Sequence, residues 1–270
     1  MRAFRALGLL AAALATPVAA QDLALSATGG CAVVPILRGA VPVVEVKIGG
    51  KGPYRFAIDT GEEGHGRITE ALATELALPK VRQGASGPVF GTSEVSVGGV
   101  SFKNLDLAAL PEGGEEFDGV LGSELLQLVQ LTLDYGNGRA RFGGPELEEG
   151  LLLGFDHGVP VLPIEVAGKR FRVHVDTGNA GTPLLLDESE ARALPLGGDP
   201  VSRGTVMEVP LAVSVTAGTV ALPVRAIGWP TRSSGGNLGS RGLAGMTVTF
   251  DATSELARVE PSRSSPRCPA

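Results

Sequence analysis

The chain has 270 residues, enough for one large domain or two small lobes, each with a core of its own. Glycine accounts for 39 of them, about twice the average usage, and proline for 19, so short strands joined by turns are expected and long helices are not. The formal charge is −6 and no basic cluster occurs, which argues against a nucleic-acid partner.

Residues 1–20 read as a secretory leader. Arg2 and Arg5 give a positive start, Leu7 to Leu14 an apolar run, and Val18-Ala19-Ala20 the small residues that precede a cut. The run is short for a bilayer-spanning helix, and no later segment is long and apolar enough to span a membrane. Export to a periplasm or to the outside is expected. Two cysteines remain, Cys31 and Cys268. An exported chain favours a disulfide between them; two free thiols, or a lipid anchor on Cys31, are the alternatives.

Residues 21–40 form a glycine-containing lead-in with one apolar strand, Ala32 to Leu37. From Val41 to Phe56, apolar and polar residues alternate around a Gly- and Pro-rich turn, the pattern of a hairpin. Its second strand runs into Phe56-Ala57-Ile58-Asp59-Thr60-Gly61. Ile68 to Leu78 has helical character, with Thr69 as N-cap and Pro79 as stop. A meander follows: Val89-Phe90, Glu94 to Val97, a Gly98-Gly99 turn, and Val100 to Leu107. Then come Phe117-Asp118-Gly119-Val120-Leu121-Gly122, a short helix from Ser123 to Gln130, and a hairpin from Leu131 to Phe142.

After a polar connector, Gly143 to Gly154, the same order of features restarts. Val159 to Lys169 mirrors Val41 to Lys51, and Val173-His174-Val175-Asp176-Thr177-Gly178 repeats the first Asp-Thr-Gly strand. Asp187 to Leu194, ending at Pro195, mirrors the first helix, and Val248 to Asp251 mirrors Leu131 to Asp134. Gly242-Leu243-Ala244-Gly245 is taken as the counterpart of Gly119 to Gly122, which leaves the helix after Gly122 without a partner. Two lobes are therefore expected, residues 21–147 and 148–270, with the tail from Glu260 held only if Cys268 is bonded.

A carboxylate at the end of a buried strand is costly unless something pairs with it. Two of them on matching strands can share one proton, because carboxyl groups about 3 Å apart cannot both ionise. One then activates water while the other donates a proton to a carbonyl, which is the chemistry of amide hydrolysis. Thr60 and Thr177 are placed to bond across to the opposite strand. Gly61 and Gly178 let backbone come close to the carboxylates.

These residues resemble the aspartic proteases of the pepsin and retropepsin type. The resemblance rests on two copies of apolar-Asp-Thr-Gly, each followed by an apolar-apolar-Gly, and it covers residues 41–260. It implies an all-β, bilobal acid-protease fold with two pseudo-twofold-related barrel-like lobes and a cleft between them. It also implies an Asp59/Asp176 pair, no metal or cofactor, an extended peptide or protein as substrate, and a monomer. The length is nearer to two fused retropepsin-sized units than to a pepsin. By position Gly84 to Thr92, with Phe90, is the candidate flap, and Pro200 to Val209, with Met207, its twin.

Two positions depart from the family pattern: Glu62 and Asn179 stand where a small or hydroxyl residue is usual. Asn179 can donate to its carboxylate and favour ionisation, while Glu62 adds a like charge beside Asp59. The expected split therefore has Asp176 as base and Asp59 as acid. A non-catalytic peptide-binding module on the same fold is the rival reading, motivated by Glu62 and the missing helix. His65, His157 and His174 show no metal spacing, and no nucleotide loop or serine elbow occurs. Trp229 reads as a packing residue and Leu151 to Leu153 as a core strand.

Overall fold

The computed structural model describes residues 24–37, 41–110, 117–230 and 235–269, so the leader proposed for residues 1–20 lies outside the described residues. The chain is all-β with a few short helices. Strand Val43–Ile48 shows why: Val44, Val46 and Ile48 are buried while Glu45 and Lys47 face water, the period of two that a half-covered sheet imposes.

In the first half, Val100–Ala109, Gly66–Ile68, Gly119–Leu121, Lys51–Ile58, Val43–Ile48 and Gly87–Val97 pair in that order. Gly87–Val97 then pairs back to Val100–Ala109, which closes a six-stranded barrel. Phe56, Ile58, Ile68, Phe102, Leu105 and Leu107 fill it, all essentially without solvent exposure. Thr69 caps helix Glu70–Glu75 by accepting from the Leu72 N–H.

The second half repeats the plan with one interruption. The strand that runs unbroken as Gly87–Val97 is split into Val206–Pro210 and Val215–Ala217, and its partner into Val220–Leu222 and Ala226–Trp229. Pro210 and Pro223 stand at the two breaks, where a residue without an N–H cannot continue a ladder. The result is an open, half-barrel sheet.

A third sheet joins the halves, in the order Leu151–Leu152, Leu256–Pro261, Met246–Asp251, Leu131–Asp134, Arg139–Phe142, Ala32–Pro35. At its centre Thr132 pairs with Thr249, its own counterpart 117 residues on, and their hydroxyls lie 3.0 Å apart. The sheet is thus symmetric about that pair. Cys31 and Cys268 form a disulfide with their Cα atoms 5.6 Å apart, tying the tail to the edge of this sheet.

Two sequence expectations need correction. The strand beside Asp176 is Asn237–Gly239, paired in parallel as Gly119–Leu121 is beside Asp59. The counterpart of Gly119-Val120-Leu121-Gly122-Ser123 is therefore Gly236-Asn237-Leu238-Gly239-Ser240, and not Gly242 to Gly245. The helix after Gly122, Ser123–Leu126, does have a partner, the 3-10 turn Ser240–Leu243. Leu151 to Leu153 is not a core strand either: Leu152 is 76% exposed on a two-residue edge, and only Leu153 is buried. Trp229 is buried, with the Arg192 guanidinium 4.9 Å above its ring.

Candidate active site

Asp59 follows strand Lys51–Ile58 and Asp176 ends strand Lys169–Asp176. The two loops are locked by their threonines, both buried. Thr60 Oγ1 donates to the Val175 carbonyl at 2.5 Å, and Thr177 Oγ1 to the Ile58 carbonyl at 2.7 Å. Each hydroxyl also accepts the other threonine's N–H, at 3.0 and 3.2 Å. Four polar groups that the sheets leave over are satisfied by this exchange, as buried backbone requires.

The glycines bring the carboxyl groups together. A methyl group on Gly61 would lie 2.4 Å from Asp176 Cγ, and one on Gly178 would lie 2.1 Å from an Asp59 oxygen. Each glycine thus leaves room for the opposite carboxylate to rest on its backbone. The Asp176 carboxyl group lies close enough to Asp59 for its charge to act on it.

Their surroundings differ. Asp59 Oδ1 accepts two backbone N–H groups, from Gly61 at 2.8 Å and Gly178 at 3.2 Å. Asp176 has both oxygens engaged: Oδ1 accepts from the Asn179 N–H at 3.0 Å, and Oδ2 from Asn237 Nδ2 at 2.8 Å. Burial, followed by the charge of Asp176, raises the Asp59 pKa to about 7 against the Gly61 N–H, with Glu62 adding a further upward push. Glu62 is turned to Arg67, 2.7 Å away, so most of its charge is answered there.

Around this centre, Ser240 Oγ donates to the Thr177 carbonyl at 2.6 Å, and its oxygen lies 3.2 Å from the buried Tyr135 hydroxyl. Burial pushes the Tyr135 phenol up and keeps it neutral. A cavity of about 450 Å³ opens beside Asn179, lined by Thr182, Glu208, Arg203 and Arg241 among others. No group of three or more His, Cys, Asp or Glu is placed to hold a metal ion among the described residues. His174 is buried, its Nε2 3.0 Å from Asp156.

Residues 44–125 match the family model described as aspartyl protease. Over that segment the chain is similar to a retropepsin-like aspartic protease family. The matched segment holds Asp59, its barrel and Gly122; the second Asp-Thr-Gly lies beyond it and rests on the internal repeat. No curated protein matches the chain.

The structure brings together Asp59, Thr60, Gly61, Asp176, Thr177, Gly178 and Asn179, with Glu62 at the rim. Phe90 and Met207 stand away from the tips of the two candidate flap hairpins. Phe90 is buried in the barrel core, and Met207 sits across from Trp229, packed against the core. Both candidate flap segments are hairpins: Gly84 to Thr92 turns at Ala85-Ser86, and Pro200 to Val209 at Gly204-Thr205. In the second, Arg203 and Val206 flank the turn and share the cavity beside Asn179. The Asn179 side chain does not reach Asp176 itself; its N–H does, and its amide passes to Asn237 at 2.7 Å. Sequence reading missed Asn237, Arg67, Ser240 and Tyr135. The repeat Gly-Val-Leu-Gly-Ser against Gly-Asn-Leu-Gly-Ser, at the same spacing as the two Asp-Thr-Gly motifs, held the signal for Asn237.

Proposed function

We propose that the protein is an exported aspartic endopeptidase in which Asp59 and Asp176 act as one catalytic pair. The observation that carries this reading is the mutual approach of the two carboxyl groups over Gly61 and Gly178, fixed by the threonine exchange. Asp59, with its raised pKa, holds the proton in the weakly acidic range, and Asp176 is the base. Asp176 takes a proton from water as its oxygen attacks the scissile carbonyl carbon. Asp59 gives its proton to the carbonyl oxygen; the tetrahedral adduct then collapses as Asp176 passes the proton it took to the leaving nitrogen and Asp59 recovers one from the hydroxyl, releasing the amine.

Support for export comes from the leader-like first 20 residues and from the Cys31–Cys268 bond, which persists in oxidising compartments. Both Asp-Thr-Gly copies lie on one chain, so the working unit is a monomer of two lobes, residues 21–147 and 148–270. The substrate is an extended peptide or protein segment held by strand-like hydrogen bonds.

The test is digestion of a denatured protein from acidic to neutral pH by the purified protein, with and without pepstatin, beside Asp59→Asn and Asp176→Asn. Cleavage in the parent and none in either variant is expected. Cleavage that survives both substitutions refutes the pair.

A further inference from the structure

Two lobes built to one plan should give the two carboxyl groups the same neighbours; besides Glu62 against Asn179, they differ at one position on the neighbouring strand. The strand beside Asp59 carries Val120; the strand beside Asp176 carries Asn237 in the matching register. Val120 packs in a small apolar cluster with Val43 and Ala57. Asn237 instead ends a chain of hydrogen bonds whose direction is fixed. The Gly181 backbone N–H can only donate, and it does so to Asn179 Oδ1 at 2.9 Å. Asn179 must then present its Nδ2, which donates to Asn237 Oδ1 at 2.7 Å. Asn237 in turn must present Nδ2 to Asp176 Oδ2, at 2.8 Å. The usual ambiguity of amide orientation is removed by the backbone at the head of the chain.

We infer that Asn237 is a positioning residue that holds the negative charge of the pair on Asp176, by filling the one carboxylate oxygen that the backbone leaves without a donor. With Asn237 in place both Asp176 oxygens accept N–H groups, and a proton on either would break a donor's bond. Among the described hydrogen bonds Asp59 Oδ2 receives no N–H, which leaves it as the oxygen that carries the shared proton. The inference rests on the proposed catalytic pair and names the residue that makes its halves unequal.

Other charged and titratable groups face this centre. Glu62 is held by Arg67, and the neutral Tyr135 hydroxyl is held at Ser240. The Arg241 guanidinium is tied to the Gly181 carbonyl at 3.0 Å. His174, two residues ahead of Asp176 and in register with Asn237, is turned to Asp156. None of these donates to an Asp176 oxygen in the described contacts, whereas Asn237 does.

The test is Asn237→Val, which installs the residue the first copy carries at this place. A charge-assisted hydrogen bond to a carboxylate is lost, so uptake of the second proton by the pair should move up by about one pH unit. Carbon-13 carboxyl titration of aspartate-labelled protein reads this directly. The acid limb of the pH–kcat profile should move with it while KM stays within about twofold. Asn237→Thr, which keeps a donor, should return the profile most of the way. Asn179→Ala leaves Asn237 present but frees its amide to turn, and should give a smaller shift of the same sign; this arm decides the matter if the valine variant does not fold. Unmoved carboxyl titrations in the variants overturn the inference. A parent that cleaves nothing at any pH overturns the peptidase reading instead, and the titration still decides the role of Asn237.

Discussion

Asp59→Asn should make the protein's stability less sensitive to pH. In the folded chain the Asp59 carboxyl is raised from 3.8 to about 7, by burial first and by Asp176 second. The native state therefore holds a proton between about pH 4 and 7 that the unfolded chain has released. Stability from this group is fully present below the unfolded value and is lost as pH rises through the folded one. At about 1.4 kcal/mol per pH unit, the interval corresponds to at most about 4 kcal/mol between pH 4 and 8. Asparagine mimics the protonated acid. Its Oδ1 can still accept the Gly61 N–H, and its Nδ2 can point where the shared proton lies. Relative to the parent, the variant should gain up to about 4 kcal/mol between pH 4 and 8, while losing all cleavage. Urea unfolding followed by Trp229, the only tryptophan and a buried one, reads the difference at each pH. A gap between variant and parent that is equal at pH 4 and pH 8 would refute the reasoning.

Three further outcomes are expected. Gly178→Ala places a methyl group 2.1 Å from an Asp59 oxygen, so the carboxyl groups must separate; activity should disappear and stability fall by about 1–3 kcal/mol, measured by cleavage and urea melts. Thr60→Val keeps the shape but leaves the Val175 carbonyl and the Thr177 N–H unpaired in a buried site. It should cost about 2–4 kcal/mol, and a loss under 1 kcal/mol would contradict the exchange. Cys268→Ser opens a closure of 237 residues, worth roughly 5 kcal/mol in the chain-entropy account, so the melting temperature should drop and become insensitive to reductant.

Much of this site was legible in the sequence because its logic is local. Asp59 and Asp176 sit at the ends of strands whose alternation is plain, and the turns around them are marked by Gly and Pro. The cap at Thr69 follows from a single residue, whereas the split of the second long hairpin at Pro210 and Pro223 was not read. What the sequence hid were matters of register. Gly-Asn-Leu-Gly and Gly-Leu-Ala-Gly both lie near the right place, and hydropathy favours the second. The choice goes to Asn237 because its strand must pair in parallel with Val175 and Asp176, leaving Leu243 to bury itself in the turn that follows. Phe90 failed as a flap residue for a similar reason: on a strand that pairs on both sides its side chain alternates inward, and an aromatic ring gains more in the barrel than at an exposed tip.

The same register explains how a duplicated scaffold can hold an unsymmetric proton. The threonine exchange at the site and the Thr132–Thr249 contact beneath it obey the twofold plan, because they fix distances that both halves need. Protonation is a different demand, since hydrolysis asks one carboxyl group to give a proton while the other takes one. Identical neighbours would leave the proton shared evenly, with nothing to aim it. Once both copies lie on one chain, each can vary alone. Val120 and the Glu62–Arg67 pair stand on one side, Asn237 and Asn179 on the other. On the proposed reading, the two N–H donors that Asp176 accepts and the burial that raises Asp59 give the carboxyl groups unlike surroundings, and that difference is what would assign acid and base before any substrate arrives.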